Sequence, residues 1–560
     1  MQKILRLLGI LAVSLFIALD TAQGAASLVL TNGKILTIDS AHPRAEALAI
    51  EGNRIVAVGS SAEIAKYVEK GVTRVIDLQG KLVVPGFNDA HAHLFSVGSA
   101  LGKVDLVGIT SYDQMREKVA ERVKISGSGE WIIGRGWDQS LVPGKVWPTK
   151  EIIDPVSPGN PVQLNRADSH SMLVNSYVLK QSGITKDTPD PEGGEIVRDP
   201  RTGEPTGVLK ENAMGLVKHR GSYDRKKGAE DSRNDLELAL EMARRVGVTS
   251  VTHIGSGAET LQDFARKGKL TARIYYCPPL PDNPETLQTY KELANSFEST
   301  PLIRFGFLKA FIDGTLGSGT AALFEPYKDN PASTGTLVQP YEKLESDVIR
   351  ADKEGFQVGV HAIGTRGNRL VLEACEAALR ANGRRDSRHR VEHAQILVKE
   401  DLPRFKELGV IASMQPSHCI TDKRFAEDRL GHERCRYAYA WRSVLDAGGK
   451  IAFGTDAPIE TINPMDGLYA AVTRKDRAGE PGEGWIPEEK LTMEDAIELY
   501  TLGPAYASFE ENLKGSLEPG KLADLVVLST DLLEAPESEI QATQVLYTIF
   551  NGKVVYEKKP

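Results

Sequence analysis

Two histidines stand at the end of an apolar run. His91 and His93 are separated by one residue and close the segment 83–94, which begins Val-Val-Pro-Gly-Phe. Because side chains alternate along a strand, both imidazoles point to the same face. Two imidazoles that converge on one point are suited to bind a metal ion. Such a pair also arises by chance, so the assignment depends on further ligands elsewhere in the chain.

Four more polar residues follow other apolar runs. Lys309 lies in Phe-Leu-Lys-Ala-Phe and His361 closes Val-Gly-Val-His. His393 closes Arg-Val-Glu-His, and Asp456 closes Ala-Phe-Gly-Thr-Asp. Each has an ordinary structural explanation by itself: a satisfied core histidine, a lysine that reaches solvent, or an aspartate that caps a helix. Their joint placement after apolar strands favours one shared site.

The elements that position these residues are short strands separated by longer helical stretches. Eight segments are predicted to be barrel strands: 82–93, 248–254, 272–277, 303–313, 356–362, 389–393, 410–415 and 450–456. Alternating strands and helices are typical of parallel α/β folds, and eight is the strand number of a TIM barrel. In that fold the active site lies at the C-terminal ends of the strands, where the candidate residues stand. The sequence therefore predicts an α/β fold built on a TIM (β/α)8 barrel.

Two β-rich segments flank the barrel region. Residues 27–84 and 515–558 contain short apolar strands separated by Gly and Asn turns, which predicts that they pair into one small sheet domain. Residues 104–221, with two Pro/Gly-rich stretches, fit no single strand-helix unit. We interpret this segment as an insertion between barrel strands one and two, lying over the barrel mouth.

Several motifs resemble the amidohydrolase superfamily, and more closely its amidohydrolase-3 branch of YtcJ-like proteins, which includes N-substituted formamide deformylase. The resemblance covers nearly the whole chain after residue 24. It is carried by motifs that occur in the family's order: Pro-Gly-Phe-Asn-Asp-Ala-His-Ala-His at 85–93, Lys-Ala-Phe-Ile-Asp-Gly-Thr-Leu-Gly-Ser at 309–318, His-Ala-Ile-Gly at 361–364, Arg-His-Arg-Val-Glu-His-Ala-Gln at 388–395, Phe-Gly-Thr-Asp-Ala-Pro at 453–458 and Gly-Ser-Leu-Glu-Pro-Gly-Lys-Leu-Ala-Asp at 515–524.

This resemblance implies a metal-dependent hydrolase with one or two divalent metal ions, zinc by preference. The implied ligands are His91, His93, His361 and His393, with Lys309 at the strand-four position. Lysine there either is carboxylated and bridges two metals or stays unmodified beside one metal. The metal activates water, and the resemblance makes Asp456 the acid-base group that moves a proton from water to the departing nitrogen.

The resemblance also implies a domain division and substrate contacts. A β-sandwich domain is expected from residues 25–84 plus 511–560, and the hydrolase barrel from 85–510. Expected substrate contacts in the insertion are Trp137, Arg166, Asp168 and His170, although such residues are as often packing residues.

Three neighbours of the implied site are judged from position alone. His253 and His418 remain open between substrate contacts and core or surface histidines. Glu392 alternates to the opposite side of its strand from His393, so we expect it to pair with Arg390 or Arg388 and leave it out of the site.

The N-terminus predicts export. Lys3 and Arg6 precede the apolar run 7–19 and a small-residue stretch at 22–26, which is typical of a signal peptide removed near residue 24. An uncleaved anchor is the alternative, but the run is shorter than the roughly 20 residues of a spanning helix. A periplasmic or secreted protein is therefore expected. The four cysteines form no C-x-x-C pair, so free buried thiols are favoured over a bridge between Cys419 and Cys435.

The net charge of −8 argues against a nucleic-acid partner, so the expected partner is a small molecule, with a homodimer left open. The expected reaction is hydrolysis of an amide-type C–N bond, with N-formyl or N-acyl amines as leading substrates. Cyclic amides, lactones, carbamates and organophosphate esters suit the same metal chemistry. An exported binding protein without turnover is the alternative class. It predicts lost ligands, whereas every ligand position is filled.

Overall fold

The structure is a computed structural model. It describes residues 25–559 apart from 102, 167–170, 192–193, 219–224 and 318. The predicted signal peptide, Asp168 and His170 lie outside the described residues. Within the described part of the chain, no helix has the length and apolar character needed to cross a membrane.

The N-terminal segment forms seven strands and one short helix. They are β1 (Leu28–Thr31), β2 (Lys34–Leu36), β3 (Arg44–Ala45), β4 (Ala47–Glu51), β5 (Arg54–Gly59), α1 (Ser61–Ile64), β6 (Arg74–Asp77) and β7 (Leu82–Pro85). Between β4 and β5 the chain reverses at Gly52, whose φ of +59° suits glycine in a tight hairpin.

The first strand of the predicted barrel is shorter than the sequence indicated. The segment 82–93 is divided at Gly86 into β7 and β8 (Phe87–Ala92), which belong to different sheets. A Cβ atom at Gly86 would lie 2.1 Å from Oγ1 of Thr249, so only glycine lets the chain pass here. The prediction of one continuous strand was wrong for this reason.

The insertion is a separate α/β unit with its own sheet. After α2 (Leu94–Leu101) its elements are β9 (Val104–Asp105), α3 (Tyr112–Ile125), β10 (Ile132–Trp137), β11 (Val162–Arg166), β12 (Ser171–Val174), α4 (Ser176–Ser182), β13 (Gly194–Arg198) and β14 (Pro205–Glu211). The six strands lie in the order β13-β14-β12-β11-β10-β9. The long helix α5 (Arg225–Arg245) leads back to the barrel and packs on α2.

Strands and helices alternate through the central region. The elements are β15 (Val248–Ile254), α6 (Ala258–Arg266), β16 (Arg273–Cys277), α7 (Pro284–Phe297), β17 (Ile303–Phe305), β18 (Leu308–Phe311), α8 (Tyr341–Lys353), β19 (Val358–Ala362), α9 (Thr365–Asn382), β20 (Arg390–His393), α10 (Leu402–Leu408), β21 (Ile411–Met414), α11 (Pro416–Leu430), α12 (Trp441–Asp446), β22 (Lys450–Phe453), α13 (Pro464–Thr473), α14 (Met493–Leu499) and α15 (Leu502–Ala507).

The C-terminal segment adds β23 (Leu525–Leu528), α16 (Glu537–Ile540), β24 (Val545–Phe550) and β25 (Lys553–Glu557). Short 3-10 helices lie at Ala65–Tyr67, Gln139–Leu141, Pro143–Lys145, Lys150–Ile152, Asp154–Val156, Asn212–Leu216, Lys399–Asp401, Glu433–Cys435 and Pro487–Glu489.

Parallel pairing joins the central strands in chain order. One run is β8-β15-β16-β17 and the other is β18-β19-β20-β21-β22. Parallel bridges between Pro279 and Lys309, and between Ala92 and Ala457, join the two runs. The predicted strand 303–313 is interrupted, because β17 ends at Phe305 and β18 begins at Leu308. These pairings make a TIM-barrel-type α/β fold, with the strand ends meeting on one side.

The two chain ends pair with each other. β23 runs antiparallel between β7 and β24, and a second sheet has the order β5-β4-β1-β6. Apolar side chains from both sheets, such as Leu48 and Leu525, share one core. A buried ion pair between Arg273 of β16 and Asp524, 2.6 Å apart, ties this region to the barrel.

Candidate metal centre

All six residues predicted to do chemistry line one cavity of about 1070 Å³. Five of them lie at or just beyond the C-terminal ends of barrel strands, and Lys309 is the second residue of β18; the six are His91, His93, Lys309, His361, His393 and Asp456. The ring centroids of His91 and His393 are 4.8 Å apart, and those of His361 and His393 are 4.6 Å apart. One ligand atom from each of His91, His393 and Asp456 falls within 4.8 Å of the others.

Each of the four imidazoles has one nitrogen held by a protein oxygen. Nδ1 of His93 lies 3.0 Å from the carbonyl of Ile254, and Nδ1 of His393 lies 2.8 Å from Oε1 of Gln415. Nε2 of His361 lies 3.0 Å from the carbonyl of Gly314. Since these oxygens only accept, each of these nitrogens is the protonated one. The other nitrogen of each ring therefore carries a free lone pair.

The fourth imidazole is held by a buried carboxylate. Nδ1 of His91 donates to Oε2 of Glu392 at 2.5 Å. Glu392 also forms an ion pair with Arg390, whose Nε lies 2.7 Å from Oε1. Although burial opposes the charge, Arg390 and His91 lower the pKa of Glu392 to about 2. Pairing with Arg390 follows the sequence prediction, and Glu392 does not line the cavity but supports it by holding His91.

Burial keeps three of these rings, those of His91, His361 and His393, neutral. It lowers the pKa of His91 to about 4 and that of His361 to about 3, with Lys309 adding to both effects. Burial and the neighbouring His361 also hold the pKa of His393 well below its ordinary value. A neutral imidazole is the form that binds a metal.

A second buried carboxylate fixes the loop after His361. Asp313 accepts backbone N–H groups of Ala322, Ile363 and Gly364 at distances of 2.8–3.0 Å. Burial raises its pKa to about 6, and those three hydrogen bonds oppose the rise. Sequence analysis did not single out Asp313, although it lies inside the motif 309–318.

Asp456 adopts a conformation that is unusual for a residue with a side chain. Its φ is +57°, a region where backbone strain is stored and which clusters at functional sites. The Asp456 N–H donates to the carbonyl of His91 at 2.7 Å. This bond places Oδ1 at 3.5 Å from Nε2 of His91 and at 3.2 Å from Nε2 of His93.

The Asp456 carboxylate is ionised in this environment. Burial opposes its charge, but the imidazoles of His91, His93 and His418 hold the pKa of Asp456 below its ordinary value. Asp89 supports the same turn, since it accepts the N–H groups of His91 and Thr455, each at 3.0 Å. Hydrogen bonds between β8 and the residues that follow β22 thus hold the Asp456 carboxylate so that it faces the cavity.

Lys309 is buried, and its Nζ has no hydrogen-bond partner among the described residues. Burial lowers the pKa of this amine to about 8, against the opposing charges of Glu392 and Asp456. A buried cation without a partner is costly, so the amine favours neutralisation or modification at this position.

The residues present fit a divalent metal. Four imidazoles offer free lone pairs, a carboxylate faces two of them, and an orphaned amine lies in the same cavity. Nitrogen donors with one or two oxygen donors are the ligand chemistry that zinc prefers. The hydrogen bond on the far nitrogen of each ring is also what fixes a metal-binding tautomer.

Two of the insertion residues predicted to bind substrate, Trp137 and Arg166, contact other residues of the insertion. Trp137 is fully buried in the core of the insertion, and its Nε1 donates to the carbonyl of Leu164 at 2.8 Å. Trp137 is therefore a packing residue, and the prediction that it contacts substrate was wrong. Arg166 pairs with Asp138 at 2.9 Å and with Gln139 at 2.8 Å. The insertion instead contributes Val107 to the cavity.

His253 and His418, whose roles the sequence left open, lie in different surroundings. Nδ1 of His253 accepts the N–H of Leu94 at 3.1 Å, and its Nε2 donates to the carbonyl of Ser256 at 2.9 Å. It is a satisfied core histidine. His418 lines the cavity, and its buried Nε2 lies 3.7 Å from Oδ2 of Asp456.

Besides Asp313, sequence analysis did not single out Gln415 or Asp89. Gln415, which holds His393, is the last residue of the predicted strand 410–415, so its place at the rim was the available signal. Asp89 lies within the first histidine motif, and its alternation with His91 was a similar signal.

A model of the amidohydrolase family matches residues 74–556. The chain is 37% identical to protein LONG AFTER FAR-RED 3 of Arabidopsis thaliana, over 95% of this chain and 92% of that protein. It is 32% identical to YtcJ of Bacillus subtilis, over 94% of this chain and 98% of that protein. It is 29% identical to the N-substituted formamide deformylase of Arthrobacter pascens, over 95% and 98% of the two chains.

One solved structure adds independent support for the fold. The crystal structure of an uncharacterized metal-dependent hydrolase from Pyrococcus furiosus matches with a TM-score of 0.70 and 31% identity, over 90% of this chain and 100% of that chain. Together with the cavity of imidazoles and carboxylate described above, the match over residues 74–556 shows that this chain belongs to the amidohydrolase family and is a metal-dependent hydrolase acting on C–N bonds.

Proposed function

We propose that this enzyme hydrolyses the amide bond of small N-formyl or N-acyl amines. The observation that carries the proposal is the set of four imidazoles in one cavity, each with one nitrogen held by a protein oxygen, together with the Asp456 carboxylate that faces two of them. The similarity to an N-substituted formamide deformylase supports an N-formyl substrate. A volume of about 1070 Å³ accommodates a small molecule and its substituent.

The residues that would hold the metal are His91, His93, His361, His393 and Lys309. We propose zinc, one ion if Lys309 stays an amine and two if it is carboxylated, because a carbamate supplies the anionic oxygens that an ammonium lacks. When bound, the metal activates water and polarises the scissile carbonyl. Burial lowers the pKa of Lys309 to about 8, which increases the fraction of neutral amine available for carboxylation.

Asp456 is the proposed acid-base group. Its carboxylate is ionised and faces the cavity, so it can accept a proton from the attacking water. The same oxygen can then deliver that proton to the departing nitrogen, which leaves as an amine. Hydrogen bonds to the backbone hold Asp456 in a strained turn, which supports a fixed position during this transfer.

We further propose the architecture and location around this site. Residues 85–510 form a closed eight-stranded barrel, and residues 25–84 with 511–560 form a β-sandwich domain, consistent with the pairing of β7 and β23. The charged and apolar pattern of residues 1–24 supports export to the periplasm or outside the cell. A homodimer is the proposed assembly to be checked by mass measurement in solution.

The test combines metal analysis with hydrolysis of a panel of N-formyl and N-acyl amines. We expect one or two zinc ions per chain and turnover that chelators abolish and zinc restores. Asp456→Asn should abolish turnover while the metal content and the circular dichroism spectrum stay unchanged. Absence of metal from the purified protein, with no rescue by added zinc, would overturn the proposal. Full activity in Asp456→Asn would remove that residue from its role.

A further inference from the structure

A second cavity of about 450 Å³ opens beside the catalytic cavity. The two cavities share Ile420, Thr421, Glu460 and Asp476 in their walls. We call the second cavity the annex; Ser417 and Arg477 also line it. Because the walls are shared, a substrate whose amide lies at the imidazole cluster can extend another group into the annex.

The carboxylates of the annex are unequally compensated. Asp476 pairs with Lys423 at 2.8 Å, and Asp466 pairs with Arg477 at 3.2 Å. Glu460 accepts a hydrogen bond from Oγ1 of Thr421 at 2.8 Å, but it forms no ion pair with any residue that the structure describes. The annex therefore holds one carboxylate without a cation in contact.

Glu460 is in a position that disfavours its charge. Burial raises the pKa of Glu460, while His418 and the Thr421 hydroxyl act in the opposite direction. Removing a carboxylate from water is costly unless a cation and hydrogen-bond donors replace the water. A cation brought by the ligand would supply that compensation.

An unsatisfied hydroxyl points to the same kind of ligand. Ser417 lines the annex and is 3% exposed, yet its Oγ has no hydrogen-bond partner among the described residues. Buried polar groups are nearly always hydrogen-bonded, so this hydroxyl is able to bond to a group that enters the annex. A primary ammonium carries three donors, enough for the Glu460 carboxylate and the hydroxyls of Ser417 and Thr421.

We propose that the annex binds a primary ammonium group of the substrate, so that the enzyme prefers amides that carry a second, cationic amino group. The proposal rests on the proposed hydrolysis of N-formyl or N-acyl amines and names their class. A carboxylate in the same position would meet the unpaired Glu460 carboxylate and be repelled, because Arg477 and Lys423 are already paired with Asp466 and Asp476.

The test uses three N-formyl amines of equal length that end in an ammonium, a methyl or a carboxylate group. They are N-formyl-1,5-diaminopentane, N-formylhexylamine and N-formyl-6-aminohexanoate. We expect kcat/KM to fall in that order. Glu460→Gln should lower kcat/KM for the diamine derivative by about 10- to 100-fold more than for the methyl derivative.

Control variants separate recognition from folding. Glu69→Gln changes an exposed glutamate of the N-terminal region and should affect none of the three substrates. Ser417→Ala should lower kcat/KM for the diamine derivative several-fold. It should not lower the melting temperature, because the Ser417 hydroxyl has no hydrogen-bond partner among the described residues. Equal losses for all three substrates in Glu460→Gln, or the highest kcat/KM for the methyl derivative, would overturn the proposal.

A binding measurement keeps the annex testable if no N-formyl amine is hydrolysed. Calorimetric titration of the metal-loaded protein with 1,5-diaminopentane should show affinity that falls about 10-fold in Glu460→Gln and is unchanged in Glu69→Gln. Such binding without turnover would leave the annex standing and reject only the N-formyl chemistry. No binding, or equal affinity in both variants, would reject the annex itself.

Discussion

His253 and His393 occupy equivalent places, near the C-terminal ends of two barrel strands, but their surroundings differ. Both nitrogens of His253 are used by the backbone, one by Leu94 and one by Ser256. His393 uses only Nδ1, which donates to Gln415. A histidine at a strand end is therefore open to a metal only where the protein leaves one nitrogen free. Strand position alone does not separate the two roles.

The largest expected effect is that of removing the His393 ring, and removal of the His253 ring is its control. His393→Ala should lower metal content and reduce kcat/KM by about a thousand-fold, because several kcal/mol of transition-state stabilisation depend on the metal. His253→Ala should keep its metal and lose about 1–3 kcal/mol of stability, since the Leu94 N–H and the Ser256 carbonyl lose their partner. Elemental analysis and thermal unfolding check both. A full metal complement in His393→Ala would contradict the comparison.

The next effect concerns the buried carboxylate that makes His91 an open histidine. Glu392→Gln should weaken metal affinity by about 10- to 100-fold, because His91 loses the charged partner that orients it. Glu510→Gln is the matched control, because Glu510 is also buried and is paired with Lys514 at 2.9 Å but does not line the cavity. Both variants should lose stability, and only Glu392→Gln should lose metal in a competition with a chelator dye.

The sequence was sufficient for residues whose role follows from strand position. Lys309 and His361 were expected at the barrel rim from the apolar runs before them, and they line the same cavity in the structure. The limits of the strands were less predictable. Gly86 divides the first strand because Thr249, over 160 residues later, leaves no room for a side chain. Residues 306–307 separate β17 from β18, and the apolar pattern of the sequence does not predict this interruption.

Contacts between distant strands account for what the sequence did not contain. The bond between His91 and Glu392 joins residues 301 positions apart, so alternation within one strand could not reveal it. Trp137 shows the opposite error, since a Trp-Asp motif in an insertion is the same string whether the indole faces a cavity or a core. Only the contact with Leu164 distinguishes them.

A smaller effect is expected from the neutral partner of His393. Gln415→Leu removes the Oε1 acceptor but leaves the ring in place, so metal affinity should fall by about 10-fold. The loss should be smaller than in Glu392→Gln, because Gln415 carries no charge. Chelator competition on the two purified variants ranks them. A larger loss in Gln415→Leu would show that charge is not what distinguishes the two supports.

The smallest effect belongs to His389, a second closed histidine, at the opposite end of strand β20 from His393. Its Nδ1 accepts the N–H of Val358 and its Nε2 lies 3.1 Å from Oδ1 of Asp352. Burial opposes the charge of Asp352, but His389, Asn382 and Arg385 lower its pKa from 3.8 to about 2.

The ionised carboxylate of Asp352 therefore contributes about 2 kcal/mol of unfolding free energy above the unfolded-state pKa, and this contribution is lost as the pH falls toward the folded-state pKa. Metal-free Asp352→Asn should melt below the wild type above pH about 4, and the margin should shrink as the pH falls below that value. A margin that widens below pH about 4 would mean that the pKa of Asp352 is raised by folding, and the closed histidine would then not be a stabilising partner.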